Sequence, residues 1–247
     1  MTAKLCITSL VISTLFTQAL RFGLLAVAFS FPHTVAARDL RYSPGANSFG
    51  PITGGVPEPA PKTARFLDEP ASDDTRQVAD WAVASDDNRG LPFVVIDKVN
   101  AKVFVFDAGG RLRGASPALL GLARGDLSVP GIGDRKMSSI RPEERTTPAG
   151  RFVATLGHDT GHQDILWVDY ADAISLHRVI TTNPREHRLQ RLAMASPLDR
   201  RISYGCINVP VRFYESVVIP AFTGTPGIVY ILPETTPIYK VFPALPR

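Results

Sequence analysis

Between Phe93 and Leu112 the chain alternates short runs of β-forming residues with turn formers. Phe93-Val94-Val95-Ile96 and Val103-Phe104-Val105-Phe106 are dense in β-branched and aromatic side chains, which suit strands. Lys98-Val99-Asn100-Ala101 between them predicts a hairpin. Asp107-Ala108-Gly109-Gly110 predicts a second turn, leading into a third strand over 112–122. The same signals return further on. Pro148 and Gly150 punctuate the approach to a strand at Phe152–Leu156, and strands follow at Ile165–Asp169, Ala173–Ile180 and Gly227–Leu232. So many short strands over about 140 residues predict a mainly β fold, a mixed β-sandwich with few helices. One of those helices is expected beside Cys206. Val211, Tyr214, Val217 and Val218 recur at helical spacing, with Pro210 admitted in the first turn and Asn208 as cap.

The stretch ahead of that helix, Arg201-Ile202-Ser203-Tyr204-Gly205-Cys206-Ile207-Asn208-Val209-Pro210, concentrates the chemistry. The chain has two cysteines, and Cys6 lies in an apolar leader. Once that leader is removed, Cys206 has no partner for an intramolecular disulfide. Gly205 frees the backbone to turn sharply beside it. A thiol just ahead of a helix N-terminus is expected to have its thiolate stabilised by the helix dipole. The alternative is a small buried core residue, which is what most free cysteines are.

Ser203-Tyr204-Gly205-Cys206-Ile207-Asn208 resembles the signature of the YkuD-type L,D-transpeptidases, Ser/Thr-His-Gly-Cys-x-Asn/Arg. Tyr204 departs from it, standing where the family has His. The run VVIDKVNAKVFVFDAGGRL resembles the opening of the same catalytic domain, and Thr147-Pro148-Ala149-Gly150-Arg151-Phe152 resembles its Thr-Pro-x-Gly-x-Phe element. The resemblance covers about residues 91–233, with its motifs in the family's order.

A cysteine nucleophile needs a base or a positive neighbour, and histidine is the usual one. Beyond the leader the chain offers His158, His162, His177 and His187. Only His177 ends a strand with clean alternation: Ile174 and Leu176 face one side, Ser175 and His177 the other. It also occupies the slot of the family's histidine. Two features depart there. Arg178 replaces a usually small residue, and the gap to Ser203 is longer. The extra residues read as an insertion, with Asn183 capping and Pro184 opening a short helix over Arg185–Ala193, which Ser196-Pro197 ends. Such a segment is placed to act as a lid. His158 and His162 would share a metal only on a helix, and Gly157 and Gly161 argue for a loop instead. His187, amid Arg185, Glu186 and Arg188, reads as part of a charged face.

Four segments are expected. Residues 1–37 read as a secretory signal: Lys4, no acidic side chain, the apolar run Phe22–Phe29, then Val35-Ala36-Ala37 before the cleavage point. Arg21 interrupts the apolar stretch, so neither half reaches a membrane span. Residues 38–90 read as a Pro/Gly-rich linker, with a short helix capped by Ser72 or Asp73 and carrying Val78, Trp81 and Ala82 on one face. Residues 91–235 would be the catalytic domain and 236–247 a tail. Without the leader the chain carries 25 basic and 23 acidic side chains, a net of +2. That balance, with no long basic run, argues against nucleic acid as partner.

The resemblance implies a protein of the periplasm or cell envelope that acts on peptidoglycan stem peptides, and a monomer is compatible with it. Cys206 would attack the carbonyl of the third residue, release terminal D-alanine and hold a thioester that an amine then takes. His177 would hold the thiolate and carry the proton, and Ser203 would orient His177. Backbone N–H groups at Tyr204, Gly205 and Cys206 would serve the oxyanion, while Asn208, Tyr204 and Arg178 would touch substrate. No metal or organic cofactor is implied. Two alternatives stand beside this. Water as acceptor would make the chain a carboxypeptidase or hydrolase. Loss of activity through Tyr204, whose phenol ionises too high to replace a histidine, would leave a wall-binding relative.

Overall fold

The structure is a computed structural model and describes residues 62–247; the expected signal sequence and most of the spacer lie outside them. Among the described residues, ten strands form a mainly β molecule with a few helices. They are β1 (Phe93–Asp97), β2 (Lys102–Phe106), β3 (Leu112–Pro117), β4 (Leu120–Gly121), β5 (Gly150–His158), β6 (Asp164–Asp169), β7 (Ile174–Arg178), β8 (Arg201–Ser203), β9 (Ile207–Val209) and β10 (Gly227–Ile231). Eight of them make one mixed sheet in the order β3-β2-β1-β10-β5-β6-β7-β9, and β4 pairs with β8 separately. Most neighbours are antiparallel. The exceptions are β1 with β10, β7 with β9, and β4 with β8. The third strand predicted over 112–122 is thus two strands in two sheets, because the chain crosses over after Pro117.

One face of the sheet supplies Val94, Val103, Leu166, Leu176, Ile207 and Val229 to a common core, closed by Tyr214, Val218 and Phe222 from the helical run that follows β9. Strands from both ends of the sheet therefore share one interior. Strands β1, β2 and β10 are buried on their second face as well, where Phe93, Phe104, Phe106 and Tyr230 meet a further apolar layer. Helix α1 (Asp73–Ala84) supplies much of that layer through Val78, Ala79, Ala82 and Val83. Full burial of a valine such as Val78 contributes roughly 1.5–3 kcal/mol. Ser72 caps α1, accepting a hydrogen bond from Thr75 N at 3.3 Å and donating to Asp97 Oδ2 at 2.7 Å. Asp73 and Asp74 favour its positive end.

The folded unit is therefore wider than residues 91–235. Phe66 and α1 lie before the expected boundary, and Phe242 and Leu245, around α5 (Ile238–Val241), lie after it; all four are buried in the same layer. A sequence boundary drawn at the first strong strand misses a helix whose apolar face exists only to cover that strand.

The helical run after β9 begins at Val211, not at the cysteine. It comprises α3 (Val211–Phe213), a π turn (Tyr214–Val218) and α4 (Ile219–Phe222). Pro220 lacks an N–H and its ring collides with the carbonyl one turn back, which accounts for the widened turn before it. The residue ahead of the first turn is Pro210, and Asn208 is a strand residue of β9 rather than a cap. Three strand residues thus separate Cys206 from the helix, so the expected helix-dipole contact does not form.

A buried ionic junction fixes the strand that leads into the cysteine. Lys98 follows β1 and is fully buried; its Nζ donates to Gly125 O at 2.6 Å, Asp126 Oδ1 at 2.7 Å and Thr147 O at 2.8 Å. Asp126 also accepts the backbone N–H groups of Glu234, Thr235 and Thr236. Burial opposes ionisation of Asp126, but Lys98 and these donors hold its carboxyl well below the ordinary range. Glu234 takes the guanidinium of Arg201, which itself donates to Lys98 O at 2.8 Å. Burying four charges is tolerable because each cation meets a carboxylate and backbone carbonyls. Arg201 opens β8, so the junction sets where Ser203 and the turn after it lie.

Candidate active site

Strands β7 and β9 run parallel, pairing Leu176 with Ile207, His177 with Asn208 and Arg178 with Val209. That register sets Ser175 beside Cys206, which directly precedes β9. The alternation read in the sequence holds: Ile174 and Leu176 enter the core, while Ser175 and His177 line a cleft of about 140 Å³. Cys206, Asn208, Tyr204 and Ser203 line the same cleft. The imidazole and the thiol, 29 positions apart in the chain, meet there.

Cys206 is half-buried. Its thiol approaches Ala173 O at 3.6 Å and receives the Ser175 hydroxyl at 3.6 Å. Burial pushes the thiol up, but hydrogen bonding and charge from His177, with further hydrogen bonds from Ser175, outweigh it and bring the thiol below its ordinary value. The thiolate is thus favoured by two neighbours on β7 instead of by a helix end. Ser175 was not singled out from the sequence. Its place two residues before His177, on the same strand face, was the available signal.

His177 is held on both nitrogens. Nδ1 lies 2.7 Å from the Arg178 carbonyl, which accepts its proton and leaves the lone pair on Nε2; Nε2 receives Asn208 Nδ2 at 3.3 Å. The orienting contact expected of Ser203 is therefore made by the backbone of Arg178. Ser203 instead donates its hydroxyl to Cys206 O at 2.6 Å and accepts Gly205 N–H at 3.1 Å. Its side chain is consumed in closing the turn around the cysteine, too tightly to reach the imidazole.

That turn is held from several sides. Thr147 Oγ1 donates to Gly205 O at 2.8 Å while accepting Gly121 N–H at 2.9 Å. Gly205 sits at φ +133°, and a Cβ there would lie 2.7 Å from both Thr146 O and Ile174 Cδ1. Only glycine fits. Because the Gly205 N–H is committed to Ser203, the expected oxyanion donors narrow to Tyr204 and Cys206.

The remaining candidates divide. Tyr204 lies in the cleft wall with the Arg145 guanidinium 3.9 Å above its ring, a cation–π contact, and Arg145 is itself anchored on Ile140 O at 3.0 Å. Asn208 is buried and faces the cleft. The Arg178 side chain does not face it. It pairs with Asp164 and with Glu215, each at 3.0 Å, and stacks on Tyr214, so it ties β7 to β6 and the helical run. The inserted segment differs in detail from the single helix expected. Asn183 caps a 3-10 turn (Pro184–Glu186), His187 adopts a left-handed conformation, and α2 spans Arg188–Ala193. His158 ends β5 and His162 stands at φ 60° in the turn to β6, so the two share no helix face.

Sequence reading did not mark residues 128–144 as part of the site, yet Ile132, Met137 and Ile140 from their 3-10 turns make its apolar wall. Glu144 stitches this loop. The Arg135 guanidinium, with the Arg141 backbone and side chain, holds its carboxyl down to about 2. Among the described residues no helix is long and apolar enough to cross a membrane.

No family model matches the sequence, and no curated protein does. Similar solved structures include the LD transpeptidase LdtMt1 in complex with imipenem, at 14% identity over 57% of this chain and 58% of that one, with a TM-score of 0.33. A mutant of the helical cell shape determining protein Pgp2 from Campylobacter jejuni is 11% identical over 67% of this chain and 58% of that one, at 0.39. The catalytic domain of an E. faecium L,D-transpeptidase is 16% identical over 57% of this chain and 96% of that one, at 0.29. The chain thus spans under two thirds of the length of the first two.

Proposed function

We propose that the protein is an exported cysteine acyltransferase acting on peptidoglycan stem peptides, an L,D-transpeptidase. The observation that carries this reading is the shared cleft. In it a thiol lowered below its ordinary value sits beside an imidazole whose tautomer is set by a backbone carbonyl. That pair is the requirement for nucleophilic acyl transfer.

In this reading Cys206 Sγ gives its proton to His177 and attacks the carbonyl of the third stem residue. The tetrahedral oxyanion is met by the Tyr204 and Cys206 N–H groups. His177 then returns the proton to the amine of the departing D-alanine, and a thioester remains on Cys206. An amine from a neighbouring stem attacks it, His177 takes that amine's proton, and the thiol is restored. Tyr204 replaces the signature histidine without removing the base, because the base is His177; its phenol and ring shape the cleft wall. Asn208 holds His177 and the Cys206 carbonyl. No step needs a metal or cofactor.

The test is intact-mass analysis of the purified protein with imipenem, a strained amide that traps a reactive cysteine as a thioester. A single adduct of the full imipenem mass is expected, absent in Cys206→Ala and slowed at least tenfold in His177→Ala. An unmodified mass would overturn the enzyme reading. Incubation with purified disaccharide-tetrapeptides then identifies the acceptor: crosslinked dimers support transpeptidation, tripeptides alone mean that water is the acceptor, and unchanged substrate refutes the stem-peptide assignment.

A further inference from the structure

Asn208 makes contacts that only one orientation of its amide allows. Its side chain is buried, and its main chain is clamped in both directions by Leu119, N–H to O at 2.9 Å and O to N–H at 2.8 Å. The remaining freedom is a half-turn of the amide. Oδ1 accepts Arg188 Nη1 at 2.6 Å, while Nδ2 is shared between His177 Nε2 and Cys206 O, each at 3.3 Å. A guanidinium only donates, so it must face the amide oxygen. With Arg188 in place, the half-turn would put two sets of N–H donors against each other.

Arg188 opens α2 in the inserted segment and is itself anchored. Its Nε is bound by Glu186 Oε2, whose other oxygen accepts Asn183 Nδ2 at 3.3 Å. Arg191 holds the Glu186 carbonyl at 3.0 Å and the Asp199 carbonyl at 2.8 Å. The Arg188 side chain is 12% exposed, and the residue lines the cleft.

We infer that Arg188 is a positioning residue that fixes the Asn208 amide, and through it keeps an N–H and not an oxygen facing His177 Nε2, the atom that would take the Cys206 proton. An N–H offered to Nε2 favours the neutral ring; a reversed amide would offer an oxygen and favour the protonated one. The inserted segment is thus a structural part of the acid–base machinery and not only a cover. Charged or titratable groups around this cleft are Cys206 and Tyr204 from the turn, Arg188 from α2, Asp159 and Asp172 from the turns flanking β6, and Arg135 from the opposite loop. Of these, Arg188 is the one that reaches His177 through a fixed amide.

The inference rests on the Cys206–His177 site but not on the acyl donor, so its test uses no peptidoglycan. The His177 ring is titrated by 1H–13C NMR in the full-length chain, with its signal assigned through His177→Gln. In Arg188→Met, His177 is expected to take up its proton about one pH unit higher. Removing a nearby cation would do the same in part, so the decisive comparison is a double-mutant cycle. In an Asn208→Ala background the Arg188→Met shift should largely vanish. An equal shift in both backgrounds would show a field effect and overturn the positioning role, as would no shift at all. Arg188→Lys keeps the charge beside Glu186 and provides a second reading that needs no change in fold. A shift there supports loss of the amide lock. A Lys variant that titrates like the parent while Met shifts equally in both backgrounds refutes it.

Discussion

Thr147 offers the most direct measurement of how the fold holds the cysteine turn. Its hydroxyl accepts from Gly121 N–H and donates to Gly205 O, and both bonds lie in the interior. Thr147→Val keeps the shape and removes both. Each buried backbone group left unpaired costs about 1–3 kcal/mol, partly offset by the added methyl, so a net loss of about 2–4 kcal/mol is expected. With a urea slope of about 2 kcal/mol per molar, the midpoint should fall by about 1–2 M. Thr147→Ser keeps the hydroxyl and loses one buried methyl, for about 1 kcal/mol. The Gly205 carbonyl would also be released, so iodoacetamide should label Cys206 more slowly in the Val variant than in the Ser variant. Urea unfolding and labelling of the three proteins decide the matter. A Val variant within about 0.5 kcal/mol of the parent, or one that matches Ser, would refute the reasoning.

Three further outcomes follow from the same turn. Labelling of Cys206 should rise with pH through a midpoint below 9.0, since only the thiolate reacts and the site depresses its ionisation; His177→Ala should move that midpoint up, and Ser175→Ala should move it up by less. A depressed acid stabilises the fold above its unfolded value and loses that contribution as pH falls through the folded one, so the stability gap between parent and Cys206→Ala should widen from neutral pH toward 9.0. Gly205→Ala should lower the thermal midpoint by about 4–12 degrees, at about 2–3 kcal/mol of strain, because its methyl would press on Thr146 O; an unchanged midpoint would show that the turn is not tight.

The sequence made the strands, and the thiol and imidazole that share the cleft, legible because both rest on local pattern. Alternation in Ile174-Ser175-Leu176-His177 is a property of four neighbours. What sits across from a strand is not, and the misreadings share that origin. The parallel register of β7 and β9 decides that Ser175 meets the thiol, and it puts Asn208 in a strand where helical spacing downstream suggested a cap. Arg178 looked available to substrate until its partners, Asp164 and Glu215, came from two other elements. Thr147 stood out only as part of a turn motif, since its two partners lie 26 and 58 residues away. Helix α1 and the residues after 236 read as periphery because their apolar side chains are few; the sheet face they cover makes them interior.

Strand β10 lies between β1 and β5, in the middle of the sheet, although among the described residues it is the last strand in chain order. Until residues 227–231 arrive, the sheet is two pieces with two raw borders, and nothing earlier in the chain can bridge them. Closure of the sheet thus waits for β10, and a chain that has passed β9 still holds its earlier strands as two separate sets. A chain cut before Gly227 would hold no slightly shortened version of this sheet, only its two unjoined pieces.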